Sequence, residues 1–446
     1  MFLVDFVGYF FVYLDMNFNS LTPTSKLLKK LVNYSSGQPV TSGDVPHIAV
    51  INTCDIIESK KLVEHVIMGV KSQGAAVFVH NTVNFGFSNK INPMTGKYAE
   101  SFRRVAASVA EAIIKCNLID GVVIVTDCDI TAAGLLAGCL NIICPALVLP
   151  MAGVDNSAVI GTGGKVTSGE ITSTQCEDII RDSAESKCDT TFFKLLGNLG
   201  ICVETANALK FGSGARFIAA KATGEKIVAY AKDLNSPKKL LSKTAYQSMV
   251  DYCLQTGGTI SALQLITKLF TANDVKTPHE FIAERASKIS PTTSRVVLAK
   301  GTACSNGGYI QYGESTPPTF SGKAWVYASA EDADTALLLG NVPKGGVMVL
   351  HNCVDVNVTA FAYAIEGMGR EKDIAIVTDG ICDKTPVLVV QMCTPNSLGN
   401  EEFANIQNGD ALEIDISRGR FNTSIMAKDQ KARAKKNTTR KQAVYF

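Results

Sequence analysis

The sequence predicts an α/β protein in two parts: an N-terminal parallel-sheet α/β domain, then a barrel-like β/α C-terminal domain. Three observations predict it. Between residues 47 and 150, apolar β-branched runs alternate with helical stretches at the spacing of βαβ units. Those runs lack polar alternation, as strands buried on both faces do. From about residue 295 the chain changes to short strands between Gly, Pro and Asn turns, with two helical stretches at 330–340 and 358–368.

In order, HIAVINT (47–53) reads as a strand, KKLVEHVIMGVKSQG (60–74) as an amphipathic helix ended by Gly74, and AAVFVHNTV (75–83) as a second buried strand. The helix ESFRRVAASVAEAIIKCN (100–117), the strand GVVIVTD (121–127), the helix TAAGLLAGCLN (131–141) and the strand PALVLPM (145–151) continue the alternation. From 152 to 290 the periodicity is mostly helical, in ETANALKFG, GARFIAAKATGEKIVAYAKDL, KTAYQSMVDYCLQ and SALQLITKLF. GTGGK (161–165) lacks the spacing and the Lys-Ser/Thr end of a phosphate loop, so it reads as a flexible loop. SPTTS (290–294) reads as a linker. Seven strands follow: VVLAKG, YIQYG, GKAWVYA, GGVMVLHN, IAIVTDG, PVLVVQMC and ALEIDIS. Trp325 alternates with apolar positions and is expected in the core. His80 is expected to be a satisfied histidine of a buried strand, and the five histidines share no ligand spacing. The expected boundaries are an extension at 1–40, domains at 41–290 and 295–427, and a basic tail at 428–446.

Composition narrows the function classes. Among 446 residues, 46% are apolar and 19% charged, which supports large cores and excludes disorder. A net charge of +2 creates no field that selects nucleic acid or membrane. The 13 cysteines include no CxxC pair, so they read as buried thiols in a reducing compartment. The apolar start, MFLVDFVGYFFVYLDMNF, carries Asp5 and Asp15, has no positive leading region, and is too short to span a bilayer. No arginine precedes Arg103, which counts against a mitochondrial presequence. The expectation is an intracellular protein, cytoplasmic rather than mitochondrial, without a membrane partner. The tail KDQKARAKKNTTRKQ (428–442) carries +6, but no aromatic residue interleaves the charges. It is expected to be a solvated helix rather than a nucleic-acid arm.

One stretch carries chemistry. VTDCDITAAGLLAG (125–138) places Cys128 and Asp129 where a buried strand turns into a helix, the place where open α/β sheets bind ligands. A thiol beside a carboxylate suggests a metal site, but Ile130 follows and can take no part in one.

This stretch and several others, in the same order, resemble the dihydroxy-acid dehydratase / phosphogluconate dehydratase family. IAVINTCD and HNTV are similar to the family's first strand–loop–strand. VTDCDITAAGLLAGCLNIICPALVLP is similar to its cysteine–aspartate–lysine motif with the helix and strand that follow. TGGTISALQLITKL resembles its "GGSTN" helix, FSGKAWVYASAEDADTALLLGNVPKGGVMVL the opening of its second domain, IAIVTDGICDKTP its "ITDGRFSG" turn, and NGDALEIDI its "GDxIxIDI" strand. The resemblance runs from about residue 47 to the basic tail. It implies an α/β domain followed by a barrel, a homodimer or a heterodimer with a paralogue, and dehydration of a 2,3-dihydroxy acid to a 2-keto acid. In that chemistry three cysteines hold an iron–sulfur cluster whose open iron removes the 3-hydroxyl. A magnesium held by carboxylates and a modified lysine binds the acid end. A serine takes the C2 proton.

Carried over position by position, most of that machinery is replaced. The first cluster cysteine falls near Lys60, with Cys54 a few residues before it. The second is Cys128. The third falls near Lys194, flanked by Cys188 and Cys202. Of the magnesium set, Asp129 is kept, whereas Phe85, Ile130 and Tyr363 stand at the other positions. In the "TDGRFSG" turn, Thr378, Asp379 and Gly380 remain, Ile381 and Cys382 follow, and Asp383 replaces the serine. A long family segment between the domains is absent near SPTTS. The sequence therefore supports no cofactor of its own, although the family would use an iron–sulfur cluster and magnesium. Three readings follow: a non-catalytic relative that acts as a binding or partner subunit, a rewired hydro-lyase using Cys54, Cys128 and Cys188 or Cys202 with Asp383 as base, and a small-molecule binder.

Overall fold

The computed structural model describes residues 45–54, 57–82, 98–151, 162–182, 190–203, 214–233, 237–256, 260–270, 285, 296–313, 316–342, 344–353, 356, 358–382, 385–391, 401–426 and 428–434. The extension at 1–40, ETANALKFG and the linker SPTTS lie outside these residues.

The first half is built on β1 (His47–Asn52), β2 (Ala76–Asn81), β3 (Gly121–Thr126) and β4 (Ala146–Pro150), all parallel, in the spatial order β2-β1-β3-β4. Helices α1 (Ile57–Ser72), α2 (Ala99–Asn117) and α3 (Asp129–Asn141) make the crossovers. β1, β3 and β4 are buried at every position, so their apolar runs have no solvent side. Two cores result, one on each face. Ala49, Ile51, Val122, Ile124 and Val148 face α2 and α3. Ile48, Val50, Val123, Val125, Leu147 and Leu149 pack under α1 and, later in the chain, α7 (Gly214–Asp233).

Close helix contacts set the glycines. A Cβ on Gly138 would lie 2.3 Å from the Ala107 carbonyl oxygen, and one on Gly134 would lie 2.5 Å from that of Arg103. Across the other face, a Cβ on Gly224 would lie 2.2 Å from the Val66 oxygen. These are backbone-to-helix approaches that only glycine permits.

Between α3 and α7 come α4 (Thr162–Thr167), α5 (Ser173–Asp182) and α6 (Thr190–Asn198). After α7 come α8 (Pro237–Leu240), α9 (Lys243–Thr256) and α10 (Ile260–Phe270).

The second half is a closed eight-stranded barrel of β5 (Val296–Gly301), β6 (Cys304–Gln311), β7 (Thr319–Tyr327), β8 (Gly346–Leu350), β9 (Ile374–Thr378), β10 (Leu388–Gln391), β11 (Ala411–Asp415) and β12 (Arg420–Thr423). β7, β8, β9 and β10 run parallel, while β10–β6, β5–β6, β7–β11 and β11–β12 are antiparallel pairs. α11 (Ala330–Leu338) and α12 (Thr359–Gly367) cross over between parallel strands. The short α13 (Glu401–Ala404) precedes β11.

The halves share packing. Val296 and Tyr309 of the barrel join the core that holds Tyr246 and Phe270 of α9 and α10. α4 lies on α12 so closely that a Cβ on Gly164 would meet the Ala364 oxygen at 2.0 Å, and Ser168 Oγ donates to the Gly367 oxygen at 3.3 Å.

Five expectations need correction. GTGGK is not a loop: residues from Thr162 onward form α4, because contact with α12 outweighs the low helix propensity of its glycines. Trp325 is 40% exposed; Phe320 and Ala324, of the opposite parity on β7, fill the barrel, so the indole points outward. β2 is an edge strand with Val79 and Asn81 exposed, and His80 is half-buried with Nε2 unpartnered among the described residues. β12, which follows ALEIDIS, was missed. The tail is helical over 428–434, where Arg433 pairs with Asp410 at 2.6 Å, so this part is docked rather than fully solvated.

Candidate functional site at the strand ends

The order β2-β1-β3-β4 reverses direction between β1 and β3. A crevice opens there, beyond the carboxyl ends of the two strands, and such switch points are the usual ligand sites of open α/β sheets. Cys54 lies two residues past the end of β1 and Cys128 two residues past the end of β3. The Thr53 amide continues the ladder to the Val125 oxygen at 3.0 Å. Thr53 Oγ1 donates to Thr126 Oγ1 at 2.8 Å, and Thr126 Oγ1 accepts from the Cys128 amide at 3.2 Å. This threonine pair clips the two strand ends together. On the β1 side, Asn52 folds back onto the turn: its Nδ2 donates to the Cys54 oxygen at 2.8 Å and its Oδ1 accepts from the Cys54 amide at 3.2 Å. Asp129 starts α3, and its Oδ1 accepts from the Ile130 amide at 2.8 Å, a favourable place for a carboxylate at a helix N-terminus.

Both thiols are buried, Cys54 at 4% and Cys128 at 3% exposure. Burial pushes the Cys128 thiol up to about 12, and the Asp129 carboxylate adds to the shift against a hydrogen bond with Thr131. Burial, then the charge of Asp127, drives the Cys54 thiol well above its ordinary range. Burial therefore favours the protonated form of both thiols.

An iron–sulfur cluster of the family type needs three convergent thiolates. Cys202 does not converge. It bridges to Val148 in the middle of β4 and packs on the α2/α3 face, whereas Cys54 packs on the opposite face. Val148 pairs with Ile124, whereas Cys128 lies beyond Thr126, where β3 ends and the next helix begins. Cys188 lies outside the described residues. Lys60 and Lys194 are exposed on α1 and α6. Among the described residues, no three His, Cys, Asp or Glu side chains gather in a way that could hold a metal ion. Among the described residues, the strand ends therefore offer two thiols, Cys54 and Cys128, and not the three that a cluster of the family type needs. They fit the family's magnesium no better. Asp127 and Asp129 are half-buried, Ile130 packs at 4% exposure where a lysine would be needed, Tyr363 is half-buried on α12, and Phe85 lies outside the described residues.

The barrel presents the second half of the expected site at the ends of β8 and β9. Asp379, 7% exposed, accepts from the Cys353 amide at 2.7 Å and the Asn352 amide at 3.0 Å. Burial raises its carboxyl pKa, and these two bonds oppose the rise. Gly380 must be glycine: a Cβ there would meet the Val356 and Cys353 oxygens at 2.7 and 2.8 Å. The Cys382 amide donates to Gln391 Oε1 at 2.6 Å, and Gln391 Nε2 donates to Gln311 Oε1 at 2.6 Å. Thr378-Asp379-Gly380 is thus accounted for by loop construction. Asp383 lies outside the described residues. Asp127, the Thr53–Thr126 clip and the Gln391–Gln311 pair escaped the sequence reading. Asp127 stood inside VTDCD as a carboxylate flanking the thiol, and the other two pairings exist only once strands are ordered.

Comparison with known proteins agrees over nearly the whole described chain. The family model for the dihydroxy-acid/6-phosphogluconate dehydratase N-terminal domain matches residues 46–290, and the model for the C-terminal domain matches residues 280–445. A dihydroxy-acid dehydratase of Pyrococcus abyssi is 22% identical over 493 positions, covering 88% of this chain and 89% of its own. One from Caldanaerobacter subterraneus is 22% identical over 473 positions, covering 84% and 85%. One from Methanococcus maripaludis is 22% identical over 490 positions, covering 85% and 87%. An alignment of 493 positions exceeds the 446 residues here, so the Pyrococcus relative carries at least 47 positions with no counterpart in this chain.

Proposed function

This chain belongs to the dihydroxy-acid/6-phosphogluconate dehydratase family, and on that premise we propose that it keeps the hydro-lyase scaffold as a binding or partner subunit without turning over a dihydroxy acid. One observation carries the reading: two buried thiols, Cys54 and Cys128, occupy the strand ends, and Cys202 packs on the opposite sheet face from Cys54. An open iron that removes hydroxide has no three-thiolate seat among the described residues. The lysine-to-isoleucine exchange at Ile130 supports the same conclusion, because a buried alkyl group replaces a magnesium ligand. The assembly that fits is a homodimer or a heterodimer with a paralogue that retains its ligands, in the cytoplasm. No described helix is long and apolar enough to cross a membrane.

A second reading, a rewired hydro-lyase, draws on the adjacency of Cys54 and Cys128 at the switch point, with Asp127 and Asp129 beside them. Iron and acid-labile sulfide content, with a visible spectrum, on protein purified without oxygen separates the two. The expected result is a colourless protein without stoichiometric iron and without turnover of 2,3-dihydroxy acids. A brown protein with stoichiometric iron, or any keto-acid product, overturns the proposal.

A further inference from the structure

α2 and α3 end in the same way. In each, an amide just beyond the helix reaches back five residues to a carbonyl: Ile119 to Ile114 at 3.1 Å, and Cys144 to Cys139 at 2.9 Å. In each, the residue before that amide is left-handed, Leu118 at φ 53° and Ile143 at φ 57°. In α3 the Ile143 amide also donates to the Leu140 oxygen at 3.1 Å. This is a Schellman turn, and its geometry brings together the side chains at the two ends of the long bond. α2 places Ile114 and Ile119 there, the usual apolar contact. α3 places two thiols there, Cys139 and Cys144.

Both are free thiols, 0% and 2% exposed, in the core that α3 shares with α2. Burial pushes the Cys139 thiol up to about 12. Burial, and then a charge on nearby Cys139, drives the Cys144 thiol well above its ordinary range. The turn between them is strained where it meets solvent. Ile143 is β-branched, 58% exposed, and held in a conformation that suits glycine. Cys144 is the next residue, so a turn that opens at Ile143 uncovers Cys144 before Cys139, which sits within the helix.

We propose that Cys139 and Cys144 are a dithiol that peroxide closes reversibly to a disulfide. Peroxide first oxidises Cys144, the thiol beside the exposed turn. Its sulfur takes one oxygen to become a sulfenic acid, and water leaves. The Cys139 sulfur then attacks the Cys144 sulfur. The S–O bond breaks, the S–S bond forms, and a second water carries away the Cys139 proton. Two electrons pass from the two thiols to the peroxide oxygens. The product is uncharged and adds no atom to a packed core. Exchange with a small thiol reverses it, so in a reducing compartment the bond is transient. The pair lies at the end of α3 away from Asp129, and it does not depend on whether the strand ends are catalytic.

Hydrogen peroxide on the folded full chain tests it, followed by denaturation, alkylation of the remaining thiols and fragmentation mass spectrometry. A bond between Cys139 and Cys144 is expected, with their peptide lighter by two hydrogen atoms and neither residue alkylated. Dithiothreitol is expected to restore both thiols. Cys139→Ala is expected to leave Cys144 as a sulfenic acid that dimedone traps. The measurement on the parent chain needs no variant, so it decides the matter even if Cys139→Ala does not fold. Alkylation of both residues after peroxide overturns the proposal. So does a bond from either residue to another cysteine, and so does oxidation that runs on to the sulfinic acid.

Discussion

The two ends of α3 obey different constraints. Its later turns, with Gly134 and Gly138, touch the α2 backbone at distances that exclude any side chain. Its first turn, with Cys128, Asp129 and Ile130, sits at the crevice where family chemistry would take place. At the packed end geometry dictates the residue whatever the protein does. At the crevice end the family resemblance expects a ligand to dictate the residue, and this chain has Ile130 where the family has a lysine. Residues of the two kinds are a few turns apart on one helix, which is why a family frame can persist around an altered site.

Four measurements can break or sharpen that contrast. Gly138→Val should be the most damaging, because its side chain would enter the Ala107 carbonyl and the Ala110 methyl. A loss of about 3 kcal/mol or more is expected in urea unfolding, at the upper end of overpacking costs. Asp379→Ala should cost about 2 kcal/mol, since two buried backbone amides lose their acceptor. A retained melting curve would mean that Asp379 is kept for a ligand rather than for its loop. Cys128→Ala should cost only about 1 kcal/mol, as the loss of a small buried group, and leave metal content unchanged. If it costs as much as Gly138→Val, or releases iron, the contrast between the two ends of α3 fails.

The smallest effect is a pH slope. Burial holds the His351 imidazole below its ordinary value, and its Nε2 has no hydrogen-bond partner among the described residues. The unfolded chain therefore binds a proton more readily than the folded one. The stability this neutral imidazole contributes is present above the ordinary histidine value of about 6.5 and is lost as pH falls through the lower folded value. His351→Leu should flatten the fall in stability between pH 7 and 5 relative to the parent. An identical slope in the two proteins would remove His351 as its source.

Much of the frame was legible because buried parallel strands write themselves as unbroken apolar runs. HIAVINT and GVVIVTD became β1 and β3 almost to the residue. Edge position was not legible: β2 is apolar like its buried neighbours, and only the strand order exposes Val79 and Asn81. Nor was parity in the barrel, where Trp325 and Ala324 alternate on a strand with apolar residues on both sides. The site divides in the same way. Cys128 and Asp129 were visible from a strand-to-helix turn, a local signal. That Cys54 lies on the neighbouring strand end, and that Cys202 lies across the sheet from it, depends on pairings between residues far apart in sequence.

Tyr309 and Val296 come from the barrel, yet they are packed among Tyr246 and Phe270 of the helical half. One core of the first half is completed by residues of the barrel, while the barrel's own cores are made of second-half residues alone. Expressed from separate genes, the first fragment would present the barrel's seat as bare hydrocarbon and would aggregate. Produced together, the two should find one another and rebuild the whole. A chain cut between Phe270 and Val296 would then run as two bands on a denaturing gel and as a single particle in native solution.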